Sequence, residues 1–154
     1  MTNHPRFERP GAPPAAGGDM PASALVIVEV RAQEDIIAAR QAGRDAARAV
    51  GLGTVDQTRL ATVISELTRN ALRYAGGGQC RIVTRVTALT RTIVLEIEDR
   101  GPGIDNVTAA LTPGYSTGGG LGLGMSAVLK LMDDMSVETR PGHTLIRTQM
   151  VRRL

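Results

Sequence analysis

The segment TRLATVISELTRNALRYA (58–75) sets Leu60, Ile64, Leu67 and Ala71 three or four positions apart, so they form one apolar stripe along a helix. Thr54 and Gln57 predict a capping box at its start, and the glycines after Ala75 predict its end. Upstream, EDIIAARQAGRDAARAV (34–50) repeats Ile36, Ala39, Ala46 and Val50 with helical spacing, and Gly51 closes it. A different period governs ALVIVEV (24–30), RIVTRV (81–86) and TIVLEIED (92–99), whose β-branched residues predict strands. A third helix is expected over about 121–133. Two more strands, SVETR and TLIRTQMV, follow around a Pro141-Gly142 turn. The order is strand, two helices, two strands, helix, two strands. It predicts an α+β two-layer sandwich, with helices on one face of a mixed, mostly antiparallel sheet.

The first 23 residues carry no apolar period and are dense in Pro, Gly and Ala, so they predict a flexible tail ahead of one domain spanning 24–154. Aromatics make up 2% of the 154 residues, and the core is therefore aliphatic. The net charge of +3 comes almost entirely from arginine, with Lys130 the one lysine and no run of five like charges. Clustered charge and stacking aromatics are both missing, which argues against direct nucleic-acid binding. The single Cys80, the lack of a secretion-type leader and the lack of an 18-residue apolar run point to a cytoplasmic protein with no membrane partner.

Three stretches carry candidate chemistry. GYSTGGGLGLGM (114–125) has six glycines in twelve positions. A Walker loop is excluded because the only lysine follows a leucine. A dinucleotide fingerprint is excluded because GLGMSA (122–127) does not directly follow a strand. What remains is either a flexible loop or backbone amides at a helix entry, poised for an anion. On the 58–75 helix, Glu66, Asn70 and Arg73 fall at i, i+4 and i+7 and share one edge beside the core stripe. That edge is either a solvated polar face with a Glu66 to Arg73 neighbour pair or a working constellation. In LEIEDRGPGI (95–104), strict alternation aligns Asp99 with Ile93, Leu95 and Ile97, aiming a carboxylate to the core side at the strand end. Such a group needs a donor, since burying it unpaired costs several kcal/mol. A plain Pro-Gly surface turn is the competing reading.

In order and spacing, ELTRN (66–70), DRGPG (99–103) and GGGLGLG (118–124) resemble the N box and the two glycine boxes of the GHKL ATPase/kinase superfamily, which shares the Bergerat ATP-binding fold. Through DIIAARQAGRDAA, GLGTVDQTRLATVISELTRNALRYAGGGQ, GYSTGGGLGLGM and LMDD, residues 25–153 are similar to the RsbT-type switch serine/threonine kinases of the bacterial stressosome. The resemblance implies ATP and Mg²⁺ as cofactors. It makes Asn70 the Mg²⁺ ligand, Glu66 the catalytic base for the acceptor hydroxyl, and Arg73 a phosphate contact. Asp99 then accepts a hydrogen bond from the adenine amino group, with Gly101, Gly103 and Ile104 beside the base and ribose and Thr144 supporting the aspartate from the late strand. Thr117, Gly118, Gly119, Gly120, Leu121, Gly122, Leu123 and Gly124 wrap the triphosphate as a lid, where polyphosphate must touch the main chain. Relative to the pattern, His143 replaces a small residue before the threonine, and the Pro-rich extension lies outside the resemblance.

The same resemblance implies a STAS-domain protein as substrate and scaffold, with a PP2C-type phosphatase as a possible downstream regulator. A sensor histidine kinase is disfavoured, because His4 and His143 are the only histidines and neither sits in a helical hairpin. The alternative is an anti-sigma factor, which sequesters a sigma factor and phosphorylates its antagonist. The edge around 113–117 is the expected docking surface.

Overall fold

A computed structural model describes residues 22–105 and 124–154. The elements run β1 (Ala22–Val30), α1 (Gln33–Ala49), α2 (Thr54–Ala75), β2 (Gly78–Val86), β3 (Thr90–Asp99), α3 (Met125–Leu131), β4 (Asp134–Arg140) and β5 (His143–Arg153). The strands form one sheet in the order β1-β2-β3-β5-β4, and every pairing in it is antiparallel. The helices cover one face, the α+β two-layer arrangement expected from the sequence, and no parallel pair occurs among the described residues. None of the described helices is long and apolar enough to cross a membrane.

The layer is held by the stripe read from the sequence. Leu60, Ile64, Leu67 and Ala71 of α2 are all buried, and they meet Ile82 of β2, Ile93, Leu95 and Ile97 of β3, and Ile146 and Met150 of β5 in one core. On α1, Ile36 and Ala39 are buried as expected, whereas Ala46 and Val50 only flank the core and Gly43 and Ala47 take the deep positions. Gly43 is demanded by close helix packing, because a β-carbon there would overlap Cδ1 of Ile64.

Helix termini differ from the sequence reading in one place. Gly53 is the N-cap of α2, Thr54 is already helical, and no side chain caps the end. The expected capping box does not form because Gln57 turns its amide nitrogen to the Leu52 carbonyl, 2.9 Å away. A carboxylate serves the first helix instead, where Asp35 Oδ2 accepts from the amides of Arg31 (2.8 Å) and Ala32 (3.0 Å). The glycines end α2 as expected: Gly76 is left-handed with φ +75°, and its amide and that of Gly77 return to Leu72 and Ala71. Far from the strand end that carries Asp99, Arg152 of β5 holds Asp56 of α2 at 3.0 Å and Asp133 at 3.1 Å, pinning the start of α2 to the sheet.

Alternation along β3 places Ile93, Leu95 and Ile97 against the helices as read. Val94 and Glu96, on the opposite face, are buried as well. Their cover includes neighbouring strands: Val83 stands in register beside Val94, and Arg81 Nε lies 3.5 Å from Glu96 Oε1.

Candidate active site

The candidate site lies where β3 ends, above the second half of α2. Because residues two apart on a strand share a face, Asp99 stands on the helix side with Ile97. Its rung partner on β5 is Thr144, and Thr144 in turn pairs with Thr139 on β4, so the three polar side chains form one row across three strands. The floor is made of small residues. A β-carbon on Gly78 would lie 3.3 Å from Asp99 Cβ and 3.4 Å from Ala71 Cβ.

Asp99 is half-buried, and that burial raises its pKa above the usual 3.8, opposed by a hydrogen bond from the Gly101 amide to Oδ1 at 2.9 Å. A carboxylate that gives up water in this way is ready to accept from a ligand donor. On the next rung position, Glu98 points to the other face, where His143 Nε2 stands 3.1 Å from Oε2 and lowers the Glu98 pKa by that hydrogen bond. His143, the departure from the family pattern, is therefore occupied on the far face and leaves Thr144 on the rung of Asp99.

Gly101 and Gly103 have structural reasons of their own. A β-carbon on Gly101 would come within 2.5 Å of Ala75 Cβ, so the glycine lets the loop lie against α2. Gly103 has φ +87°, and a β-carbon there would sit 2.8 Å from the Arg140 carbonyl oxygen. Gly103→Ala is expected to lose about 2 kcal/mol or more of stability, roughly 1–2 kcal/mol of it from the left-handed backbone alone. A urea denaturation midpoint checks this, and an unchanged midpoint would contradict it. Ile104 follows with its side chain against the core and its amide bonded to Thr139 Oγ1 at 2.9 Å. The Gly142 amide of the β4-β5 turn donates to the Gly101 carbonyl at 2.9 Å, a second tie between loop and hairpin.

On α2, Glu66 and Asn70 are half-buried on the edge beside the core stripe. Glu66 Oε1 receives Arg69 at 2.8 Å, and Arg73 lies over the Tyr74 ring with 5.4 Å to its centroid. Among the described residues no group of three or more His, Cys, Asp or Glu could hold a metal by itself. Asn70 contributes one hard carboxamide oxygen, which suits Mg²⁺ shared with phosphates and water rather than an all-protein cage. Gly124 is the N-cap of α3, while Thr117, Gly118, Gly119, Gly120, Leu121, Gly122 and Leu123 and the edge at 113–117 lie outside the described residues. Cys80 is a closed core group, its thiol pushed up to about 12 by burial.

Sequence reading missed Thr139 and Arg69. Thr139 lies 35 residues from Ile104 in the chain, and only the strand order β3-β5-β4 brings them together. Arg69 at i+3 from Glu66 was legible as a helical neighbour.

Residues 55–151 match the family described as histidine kinase-, DNA gyrase B-, and HSP90-like ATPase. The chain belongs to this ATPase family. The matched segment runs from the start of α2 into β5 and so contains Glu66, Asn70, Asp99 and Thr144 together. Within the family, the chain is 44% identical over 115 residues to the serine/threonine-protein kinase RsbT of Bacillus subtilis (strain 168), covering 75% of this chain and 86% of that kinase. It is 34% identical over 94 residues to an anti-sigma F factor of Bacillus licheniformis, with 57% of this chain and 64% of that factor covered. A third relative, the anti-sigma F factor of Caldanaerobacter subterraneus subsp. tengcongensis, is 33% identical over 91 residues, covering 56% and 64%. The chain thus spans just under two thirds of each of these anti-sigma factors. Family membership implies ATP use, and the likeness to RsbT supports a protein serine/threonine kinase.

Proposed function

We propose that the protein is an ATP- and Mg²⁺-dependent serine/threonine kinase whose substrate is a Ser or Thr of a STAS-domain partner in a bacterial stress-signalling switch. The observation that carries this reading is that the strand end bearing the Asp99–Thr144–Thr139 row lies against Ala71 and Ala75 of α2, the helix whose neighbouring turns carry Glu66 and Asn70. The row supplies an acceptor for an adenine amino group. The helix edge supplies a carboxylate to take the acceptor hydroxyl's proton and, in Asn70, an oxygen for Mg²⁺, which would neutralise charge on the phosphates. Phosphoryl transfer asks little covalent chemistry of a protein, so positioning by these groups and by main-chain amides supplies most of the catalysis. Gly118, Gly120, Gly122 and Gly124 are the proposed triphosphate cradle, Arg73 a phosphate contact, and 113–117 the edge that docks the substrate.

Incubating the protein with Mg-ATP and STAS-domain proteins from the same cell, and mapping the label by mass spectrometry, is expected to give phosphoserine or phosphothreonine. The likeness to anti-sigma F factors supports a second output, sequestration of a sigma factor. Tight sigma-factor binding with no transfer to any STAS protein would select that reading, and phosphohistidine would overturn both. A PP2C-type phosphatase is the proposed downstream partner in the first case, and the cytoplasm the proposed location in either.

A further inference from the structure

We propose that the outer edge of β1 is a self-association surface, at which β1 of a second copy pairs antiparallel and joins the two sheets into one. Among the described residues β1 pairs only with β2, so its other edge presents a row of backbone donors and acceptors. The strand is long and evenly paired. Each residue from Ala22 to Val30 meets one β2 residue, from Val86 to Gly78, with no bulge to turn the edge away. Leu25, Val26 and Ile27 at its centre are 46%, 38% and 50% exposed, and Glu29 is its one charged residue. Sheet edges are ordinarily blunted by charge, proline or a bulge, and the centre of this one has none of the three.

Three observations select a second copy as the occupant. The 21 residues ahead of β1 carry five prolines, which lack a backbone donor, and so make a poor strand to fold back on it. The opposite edge of the sheet, β4, carries Asp134, Glu138 and Arg140 within seven residues, a charged margin ill matched to the apolar β1 in a head-to-tail array. β1 is instead complementary to itself. With Val26 on a two-fold axis, Leu25 lies opposite Ile27 of the second copy, Ala24 opposite Val28, and Ser23 opposite Glu29. Each facing pair keeps to one face of the sheet, every residue from 24 to 28 meets another apolar one, and the two carboxylates never face each other. Sliding the axis to Ile27 would set Leu25 against Glu29. Closure at two follows from the symmetry, because both β1 edges are consumed and only the charged β4 edges remain.

Sedimentation equilibrium of the full chain over a wide concentration range is expected to show monomer and dimer and nothing larger. Ile27→Glu sets a carboxylate beside Arg81, its β2 partner, so the monomer keeps a favourable cross-strand pair. In the dimer the same change replaces both Ile27–Leu25 contacts and brings two like charges near the axis, so self-association should weaken about tenfold or more. Val26→Cys gives a second readout that does not depend on how Ile27→Glu folds. The two thiols would stand directly opposite, near the spacing of a disulfide, and mild oxidation should link the dimer. Leu25→Cys, offset from its own copy by two positions, should link about tenfold more slowly, and Cys80, buried in the core, takes no part. A monomer at every concentration, oligomers that grow past two, or a dimer that survives Ile27→Glu while Val26→Cys links no faster than Leu25→Cys would each overturn the inference.

Discussion

Glu66→Ala is expected to lower the rate of phosphoryl transfer by about 10²-fold or more while ATP affinity stays within a few-fold, because a general base acts on the transition state and not on bound nucleotide. The carboxylate is held in place. Its side chain is 12% exposed, and Arg69 fixes Oε1 at 2.8 Å, which restricts where the group can swing on the rigid middle of α2. Glu66→Gln should lose nearly as much rate, since it keeps the shape and removes the basicity. Stability will barely register either change: Arg69 is half exposed, and an ion pair of this kind contributes about 0–1 kcal/mol. Asn70→Ala is the informative contrast, one turn along the same edge. If its oxygen holds Mg²⁺ against the phosphates, affinity and rate fall together. Steady-state kinetics on a confirmed substrate, with separate nucleotide titration, distinguishes the two patterns. Equal rates for wild type and Glu66→Ala would reduce Glu66 to a surface partner of Arg69.

Local period reached a good part of this site. Helical spacing placed Leu60, Ile64, Leu67 and Ala71 in the core, and alternation put Asp99 on the helix side of β3, because both patterns are fixed by backbone geometry within a few residues. What depends on distant chain was not legible. That Gly101 must yield to Ala75, that Gly43 must yield to Ile64, and that Thr139 meets Ile104 are consequences of how elements stack and of β5 entering the sheet between β3 and β4. Burial of Glu96 on the far face was invisible for the same reason, since its cover is a long Arg81 side chain from the neighbouring strand. The capping error at Thr54 was of another kind. Both residues of the expected box are present, but Gln57 has the Leu52 carbonyl within reach, and the competing local bond takes it.

Asp99→Asn separates what the site costs from what it does. Burial disfavours the ionised carboxylate in the folded chain, so its pKa is raised. For an acid with a raised folded pKa, stability is lost as pH climbs from the usual 3.8 through the folded value, and at neutrality the charge is a net cost to the fold. Asparagine removes that cost and retains an oxygen for the Gly101 amide. The nucleotide-free variant is therefore expected to unfold at the same denaturant concentration as wild type or a higher one. ATP binding should move the opposite way, weakening by roughly 1.5–3 kcal/mol, about 10- to 150-fold, as the adenine amino group loses a charged acceptor. Acidification repeats the substitution reversibly. The protonated acid is a poorer acceptor, so wild-type affinity should exceed that of Asp99→Asn near neutrality and converge on it as pH falls through the raised pKa. Taking the difference between the two proteins cancels the titration of the phosphates. Calorimetric titrations across that range, paired with urea unfolding of both proteins, read the two effects separately. A variant with undiminished affinity, or one that loses affinity only because it unfolds, would remove Asp99 from base recognition.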